Sequence, residues 1–493
     1  GQRSGIILPT YGESDNRGFF LENGGYYWAI NDYMDLKIVG DIFSRGSWAI
    51  KPVFTYKYRY HYSGSMNLSY ALNRIGIEGT PEFSREEDYR IAWTHSQDKK
   101  ARPKSSFSAN VNIQSRNYNK YNISSTPDQY LTNTFQSSIN YSTNFAGKVF
   151  LNLNFNHNQN TLDKTITFNF PQISMSVNQI YPFRNPERAG KARWYDKIGL
   201  RYNLDAQNRY TTYDSSLFTP GWTKDLQNGI KHTLPVGGTW NILKYFNFST
   251  ALNMNDRMYF SYIHKEYVDE VIEDGDTIPG HYRTDTVYNF ANAFDFNLSA
   301  GINTRLYGMY QFKKGPVMAI RHMMTPSVSF SYTPDFGAPF WGYYRAIEND
   351  TATVNPSKYS IFQGGIYGGP PGAESGLVTI SLANNLEMKV RNRKDTVLGF
   401  KKVVLIDNFT IGTSYDIAKD SLNWAPISMQ GRTLLFKGLN IQYSSSWDIY
   451  ARDANGNRIN TTEWAKNRRL VRLDNTSWDL SLNYNLGSEK FKK

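Results

Sequence analysis

Chemistry in this 493-residue chain would have to start from seven histidines, a few acidic pairs and an excess of basic side chains. His61, His95, His157, His232, His264, His281 and His322 are scattered, with no H-E-x-x-H pair or other metal-ligand spacing between them. No G-x-S-x-G turn presents a serine nucleophile, and no glycine-rich loop is laid out to cradle a phosphate. Glu86-Glu87 has the residue types for general acid–base work, but its charged, loop-like surroundings read as a solvated pair. The chain has no cysteine, which removes disulfides and thiol chemistry. No catalytic residue, metal site or cofactor is therefore expected. The 55 Lys+Arg against 43 Asp+Glu leave a net charge of +12, which suits nucleic acid, acidic polysaccharide or phosphorylated lipid as a partner. Nucleic acid is set aside, because there is no compact basic run, zinc spacing or recognition-helix pattern.

The elements that carry these residues are strands. Val149, Leu151, Leu153 and Phe155 alternate with Phe150, Asn152, Asn154 and Asn156, and successive strand side chains point to opposite faces. Phe294, Phe296, Leu298 and Ala300 alternate in the same way with Asp295, Asn297 and Ser299, and the pattern recurs in Ile139–Ser142, Val328–Tyr332 and Trp478–Leu486. The polar positions are mostly Asn, Ser and Thr. A soluble sandwich would expose Lys and Glu there, in repeated domain-sized units joined by linkers, whereas a wide barrel has a hydrated interior. Aromatics make up 15% of a chain whose mean hydropathy is −0.56, and Tyr and Trp sit well at membrane–water boundaries. The longest apolar runs, such as Tyr26–Ile30 and Val403–Ile406, are strand-sized, far below the ~18 residues of a spanning helix. In lipid such strands must close on themselves, because an open edge leaves backbone groups unpaired.

Asn23-Gly24-Gly25, Asp274-Gly275-Asp276 and Asn455-Gly456-Asn457 read as turns, and Pro334–Gly376, rich in glycine and proline, as a long external loop. The expected fold is all-β: a large antiparallel transmembrane β-barrel of roughly 20 to 26 strands across residues 1–493. A lumen that wide is not filled by its own side chains and has to be plugged.

The first sixty residues are the most specific. They read Arg3-Ser4-Gly5-Ile6-Ile7-Leu8-Pro9-Thr10-Tyr11-Gly12, then Asn16-Arg17-Gly18-Phe19, then Tyr26-Tyr27-Trp28-Ala29-Ile30-Asn31-Asp32-Tyr33-Met34-Asp35, with Ser44-Arg45-Gly46 after them. This resembles the opening of the barrel in the LptD (OstA-like) family of outer-membrane lipopolysaccharide assembly proteins, with its R-S-G-x-x-x-P segment, Y-Y-W-x-I strand and R-G turn. Phe170-Pro171-Gln172-Ile173 is similar to the family's L-P-x-I strand start, and Arg321–Pro334 to its late R-x-x-x-x-P-x-x-x-Y-x-Y-x-P segment.

The resemblance implies an integral outer-membrane translocon that inserts lipopolysaccharide into the outer leaflet. Sugars would pass through the lumen, and acyl chains through a lateral gate that is open or weakly closed between the first and last strands. The implied partners are lipopolysaccharide, an LptE-like plug lipoprotein in the lumen, a periplasmic bridge protein and outer-membrane lipid. Ile6, Ile7, Leu8, Pro9, Tyr11, Gly12, Gly24 and Gly25 fall at the implied gate, where Pro9 cannot donate a ladder hydrogen bond and would weaken pairing to the closing strand. Where the family has a second proline before Y-Y-W, this chain has Gly24-Gly25. Tyr26, Tyr27 and Trp28 are expected as interfacial aromatics. The family's periplasmic β-jellyroll would precede residue 1, and closing strands would follow the charged Gly487–Lys493. A large channel or nutrient-receptor barrel is the alternative.

Overall fold

The computed structural model describes residues 2–482, apart from 82, 122–130, 186, 189, 218, 270, 274–275, 279, 349–357, 393–398 and 436–438. Its main sheet holds 22 ladder segments. Two consecutive pairs of segments run on in unchanged register as single strands, which makes a meander of twenty. Strand β1 comprises Gly5–Ile7 and Thr10–Ser14, followed by β2 Gly18–Asn31, β3 Met34–Phe43, β4 Trp48–Tyr58, β5 Tyr62–Ile75, β6 Ser84–Gln97 and β7 Ser105–Gln114. Next come β8 Thr134–Phe145, β9 Val149–Asn160, β10 Thr165–Ile180, β11 Gly199–Tyr213, β12 Gln227–Ile242 and β13 Phe246–Tyr259. Strand β14 is Ala291–Thr304 with Leu306–Gln311. It is followed by β15 Val317–Thr333, β16 Ser375–Arg391, β17 Phe400–Asp416, β18 Ile427–Leu435, β19 Leu439–Asp448 and β20 Arg472–Leu482.

Each strand pairs antiparallel with its neighbours in sequence, as short connections dictate. Among the described residues no ladder joins β1 to β20, so the sheet has two free edges. Long connections, at 115–133, 260–290, 334–374 and 449–471, leave from one end. The other end carries tight turns such as Asp32-Tyr33 and Ala146–Lys148, with 181–198 its longest connection. Register aligns the alternating residues into two faces. Leu252, Leu298 and Tyr332 share the apolar face, while Arg257 and Ala293, and Asn255 and Asp295, share the polar one.

Prolines mark the gaps in the ladders. Pro52 sits where β4 and β5 lose pairing between Ile50 and Val53, Pro171 at a bulge of β10, and Pro235 between Leu200 and Asn203 of the β11–β12 ladder. Pro326 stands where β14 breaks between Thr304 and Leu306, and Leu8-Pro9 divides β1. A missing N–H removes one rung, and the neighbouring pairs part with it.

Three sequence expectations change. Asn23-Gly24-Gly25 is no turn: it lies inside β2 as a bulge, with Asn23 at φ 55°. Pro171 lies in mid-strand rather than at a strand start. Glu86 and Glu87 lie in β6, opposite Asn73 and Leu72, and Tyr70 Oη donates to Glu87 Oε2 at 2.9 Å. Alternation outweighs local charge there. Asn455-Gly456-Asn457 does lie in a turn, with Gly456 at φ 85°. Asp274-Gly275 and residues 483–493 lie outside the described residues.

Candidate functional site

The gate residues suggested by sequence converge on one stretch of the β1–β2 edge. Gly5–Ile7 pairs with Gly25–Tyr27, and Thr10–Ser14 pairs with Gly18–Glu22, so the break at Leu8-Pro9 faces Asn23-Gly24. Strand β2 bulges at the same height toward β3, where the register shifts between Leu21 and Gly24. The side-chain alternation slips with it: Ile6 and Tyr26 share the apolar face on one side of the break, Tyr11 and Leu21 on the other. At the free edge Ile6, Leu8 and Tyr11 are 79%, 83% and 87% exposed.

Gly12, Gly24 and Gly25 each have a contact that explains them. A Cβ on Gly24 would meet the Pro9 ring at 2.9 Å, so the proline packs flat on that glycine. A Cβ on Gly25 would fall 1.9 Å from the Ile38 carbonyl, inside the β2–β3 ladder. At Gly12 the Phe20 ring occupies the space, at 2.5 Å. Of the three aromatics, Tyr26 and Trp28 project from the apolar face near the tight-turn end, half exposed. Tyr27 alternates to the polar face, where its hydroxyl donates to Gln2 Oε1 at 2.8 Å.

Polar residues that sequence reasoning did not single out hold the bulge. The Asn23 N–H freed by the bulge donates to Asp41 Oδ1 at 2.9 Å. Lys51 Nζ lies 2.6 Å from Asp41 Oδ2 and donates to Asn23 Oδ1 at 3.2 Å. In the β1–β2 turn, Arg17 is buried against Phe43 and donates to the Tyr121 carbonyl. Burial pulls its pKa below the usual arginine value, against the opposing pull of Glu22, Asp88 and Asp41. The available signal was Asp41 itself, a lone carboxylate in the apolar run Ile38–Ile42.

The opposite free edge is β20, with Trp478, Leu480 and Leu482 at least 65% exposed. At the long-loop end, 334–374 forms an aromatic core of Phe336, Tyr343, Tyr359 and Phe362 against Tyr259 and Ala293 of the sheet. Tyr259 Oη donates to the Gly368 carbonyl at 2.7 Å and accepts from the Tyr367 N–H at 3.2 Å. Tyr367 reaches Gly229 on β12, so this loop folds back over the polar face. The hairpin of Tyr262–Val268 and His281–Val287 joins it, with Ile263 N–H donating to the Ile361 carbonyl. The chain thus covers part of one end of its own sheet.

No helix among the described residues is long and apolar enough to cross a membrane, which leaves crossing by strands open. The decisive comparison is with protein families: the profile of the family described as "LptD protein" matches residues 1–450. The chain belongs to the LptD family. Membership puts this LptD-family chain in the outer membrane with a role in lipopolysaccharide assembly, as a transport protein and not an enzyme. The meander of twenty strands, apolar on one face and polar on the other, suits that setting.

The comparison with curated proteins found no match. Among solved structures, the chain is similar to the FrpB iron transporter from Neisseria meningitidis (10% identity, 91% of this chain and 74% of that one, TM-score 0.26). It is also similar to the ferric yersiniabactin uptake receptor FyuA from Yersinia pestis (11%, 97% and 72%, TM-score 0.22). A third is the copper transporter OprC (9%, 98% and 83%, TM-score 0.18). The superpositions are too loose to carry any argument.

Proposed function

We propose that this LptD-family chain inserts lipopolysaccharide into the outer leaflet through its lumen and through a lateral gate between β1 and the last strand of the barrel. The observation that carries the reading is the coincidence of three weaknesses at one height: the Leu8-Pro9 break, the Asn23–Gly25 bulge and a free outer edge on β1. A strand with rungs missing on its inner side swings more easily away from a partner on its outer side. Ile6, Leu8 and Tyr11 then present an apolar surface to passing acyl chains, while Thr10 and Gly12 share the polar face with the sugars' route.

The same reading assigns an LptE-like plug lipoprotein to the lumen, a periplasmic bridge protein that delivers lipopolysaccharide, and outer-membrane lipid as the acceptor. It also has a periplasmic β-jellyroll ahead of β1 and closing strands after β20. Strand β1 sets out from the tight-turn end, which in outer-membrane barrels is the periplasmic one.

None of these 493 residues is a cysteine, so none competes with an introduced pair. Single cysteines placed along Gly5–Ser14 are paired with single cysteines along the last strand, Arg472–Leu482 or a strand that follows it, and oxidised in cells. Stapled pairs should stop lipopolysaccharide from reaching the surface, and a reductant should restore it. Normal delivery through a fully stapled seam would sink the gate.

A further inference from the structure

A second polar site lies far from the seam, on the polar face near the tight-turn end. A cavity of about 820 Å³ opens there between loop 181–198 and strands β11 to β15. Its floor consists of small side chains in neighbouring register positions: Thr239 opposite Ser249, Ser249 opposite Gly301, and Gly301 opposite Ser329. Nothing bulky fills this part of the wall, and hydroxyls line it. Pro235 breaks the β11–β12 ladder at its edge, beside Arg201.

The rim is cationic. Arg184, Lys197 and Arg201 all line the cavity, and among the described residues none of the three has a carboxylate within salt-bridge distance. Arg201 donates only to the amide oxygen of Gln179, at 3.0 Å, and Arg184 lies over the Tyr181 ring at 6.0 Å. The acidic group on the rim, Asp196, is committed on one side: its Oδ2 accepts from Arg188 at 2.9 Å and from the Arg193 N–H at 2.7 Å. Among the described residues its Oδ1 has no hydrogen-bond partner, and it is sealed from the cavity, since Asp196 is only 6% exposed. The rim is positive even so, since Arg188 already neutralises Asp196 and three cations remain on the lining.

We infer that this cavity binds the phosphorylated saccharide part of an anionic glycolipid on its way into the bore. Arg184, Lys197 and Arg201 would take the phosphate, and the hydroxyl-lined floor would seat the ring. A neutral sugar leaves three cations unused, and a bare phosphate leaves the hydroxyl floor and much of the volume empty. The inference rests on the lipopolysaccharide reading above but not on the gate, because a deacylated saccharide has no acyl chain to pass through a seam.

The test uses the full chain in detergent with whatever lipoprotein co-purifies, and titrates it with fully deacylated lipopolysaccharide before and after enzymatic dephosphorylation. Wild type should bind the phosphorylated form about tenfold more tightly, and Lys197→Ala/Arg201→Ala should remove that preference, as expected for loss of charge-assisted hydrogen bonds. Ser299→Leu, a floor substitution on rigid sheet away from loop 181–198, should block both without disturbing the loop. Equal affinity for the two forms, or unchanged affinity in the double variant, overturns the inference. So does a photoreactive side chain at position 299 that cross-links to the co-purified lipoprotein while no saccharide binds, because the cavity is then a protein contact. Failure of the seam staple with saccharide binding intact counts against the gate alone.

Discussion

At the scale of single residues, the seam depends on what fits beside what. Pro9 and Gly24 are one fitting, since the ring occupies the volume a Cβ would need. Gly24→Ala should destabilise the folded protein and splay β1, whereas in a Pro9→Gly background the same change should cost much less, because the nearest atom, Pro9 Cβ, is then gone. A double-mutant cycle on the denaturant midpoint measures this, and additive effects would show that the two do not pack together. Pro9→Ala alone restores a donor and should slow lipopolysaccharide delivery, read as surface arrival after a pulse. Asp41 is a separate matter. Asp41→Ala strands both Lys51 and the Asn23 N–H on the polar face, and should cost about 3 kcal/mol, the lower end for breaking a buried pair. Asp41→Asn, which keeps an acceptor for Asn23, should recover part of that loss.

At the scale of elements, strands were legible and irregularities were not. Period two in Val149–Asn156 and Phe294–Ala300 gave both the strands and the division of their faces, because burial enforces alternation along a whole strand. Asn23-Gly24-Gly25 read as a turn because its composition suits one, yet β2 runs on through it, tied on both sides by ladders that only the fold supplies. Glu86 and Glu87 were taken out of their strand by their charge, which a water-facing wall accommodates. The partners of Asp41 and the rim of loop 181–198 were not legible for a related reason: each depends on strand register or loop geometry that residue types and spacing do not give. The inward loop 334–374 adds a prediction of its own. Burial, with Asp205 and Tyr259 nearby, pushes the Tyr367 hydroxyl up to about 12. A raised tyrosine pKa gives stability that is intact below the unfolded value near 10 and lost as pH climbs through about 12. Limited proteolysis within 334–374 should therefore rise across that window, and Tyr367→Phe should flatten the rise. Cleavage independent of pH in wild type would place this hydroxyl in water.

At the scale of the whole molecule, the two ends are built differently. One carries tight turns and the cationic loop 181–198, and the other is overlaid by the chain's own loops. On the proposed function, sealing is shared between loops at the long-loop end and a lumenal partner further in. Deleting 344–369 while keeping the flanking strands should increase entry of a bulky hydrophilic antibiotic several-fold, measured as a fall in its inhibitory concentration, with assembly intact by heat-modified gel mobility. No change in sensitivity would mean that the partner alone seals the bore.

The proline gaps have a mechanical consequence. They are spread across the meander, at Pro9, Pro52, Pro171, Pro235 and Pro326, so the wall is a set of stiff staves joined by compliant creases. Rolled into the proposed barrel, such a wall flattens from round to oval under a load applied far from the gate, and flattening pries the gate apart. Cargo lodged against the creased side could in this way help to open its own exit.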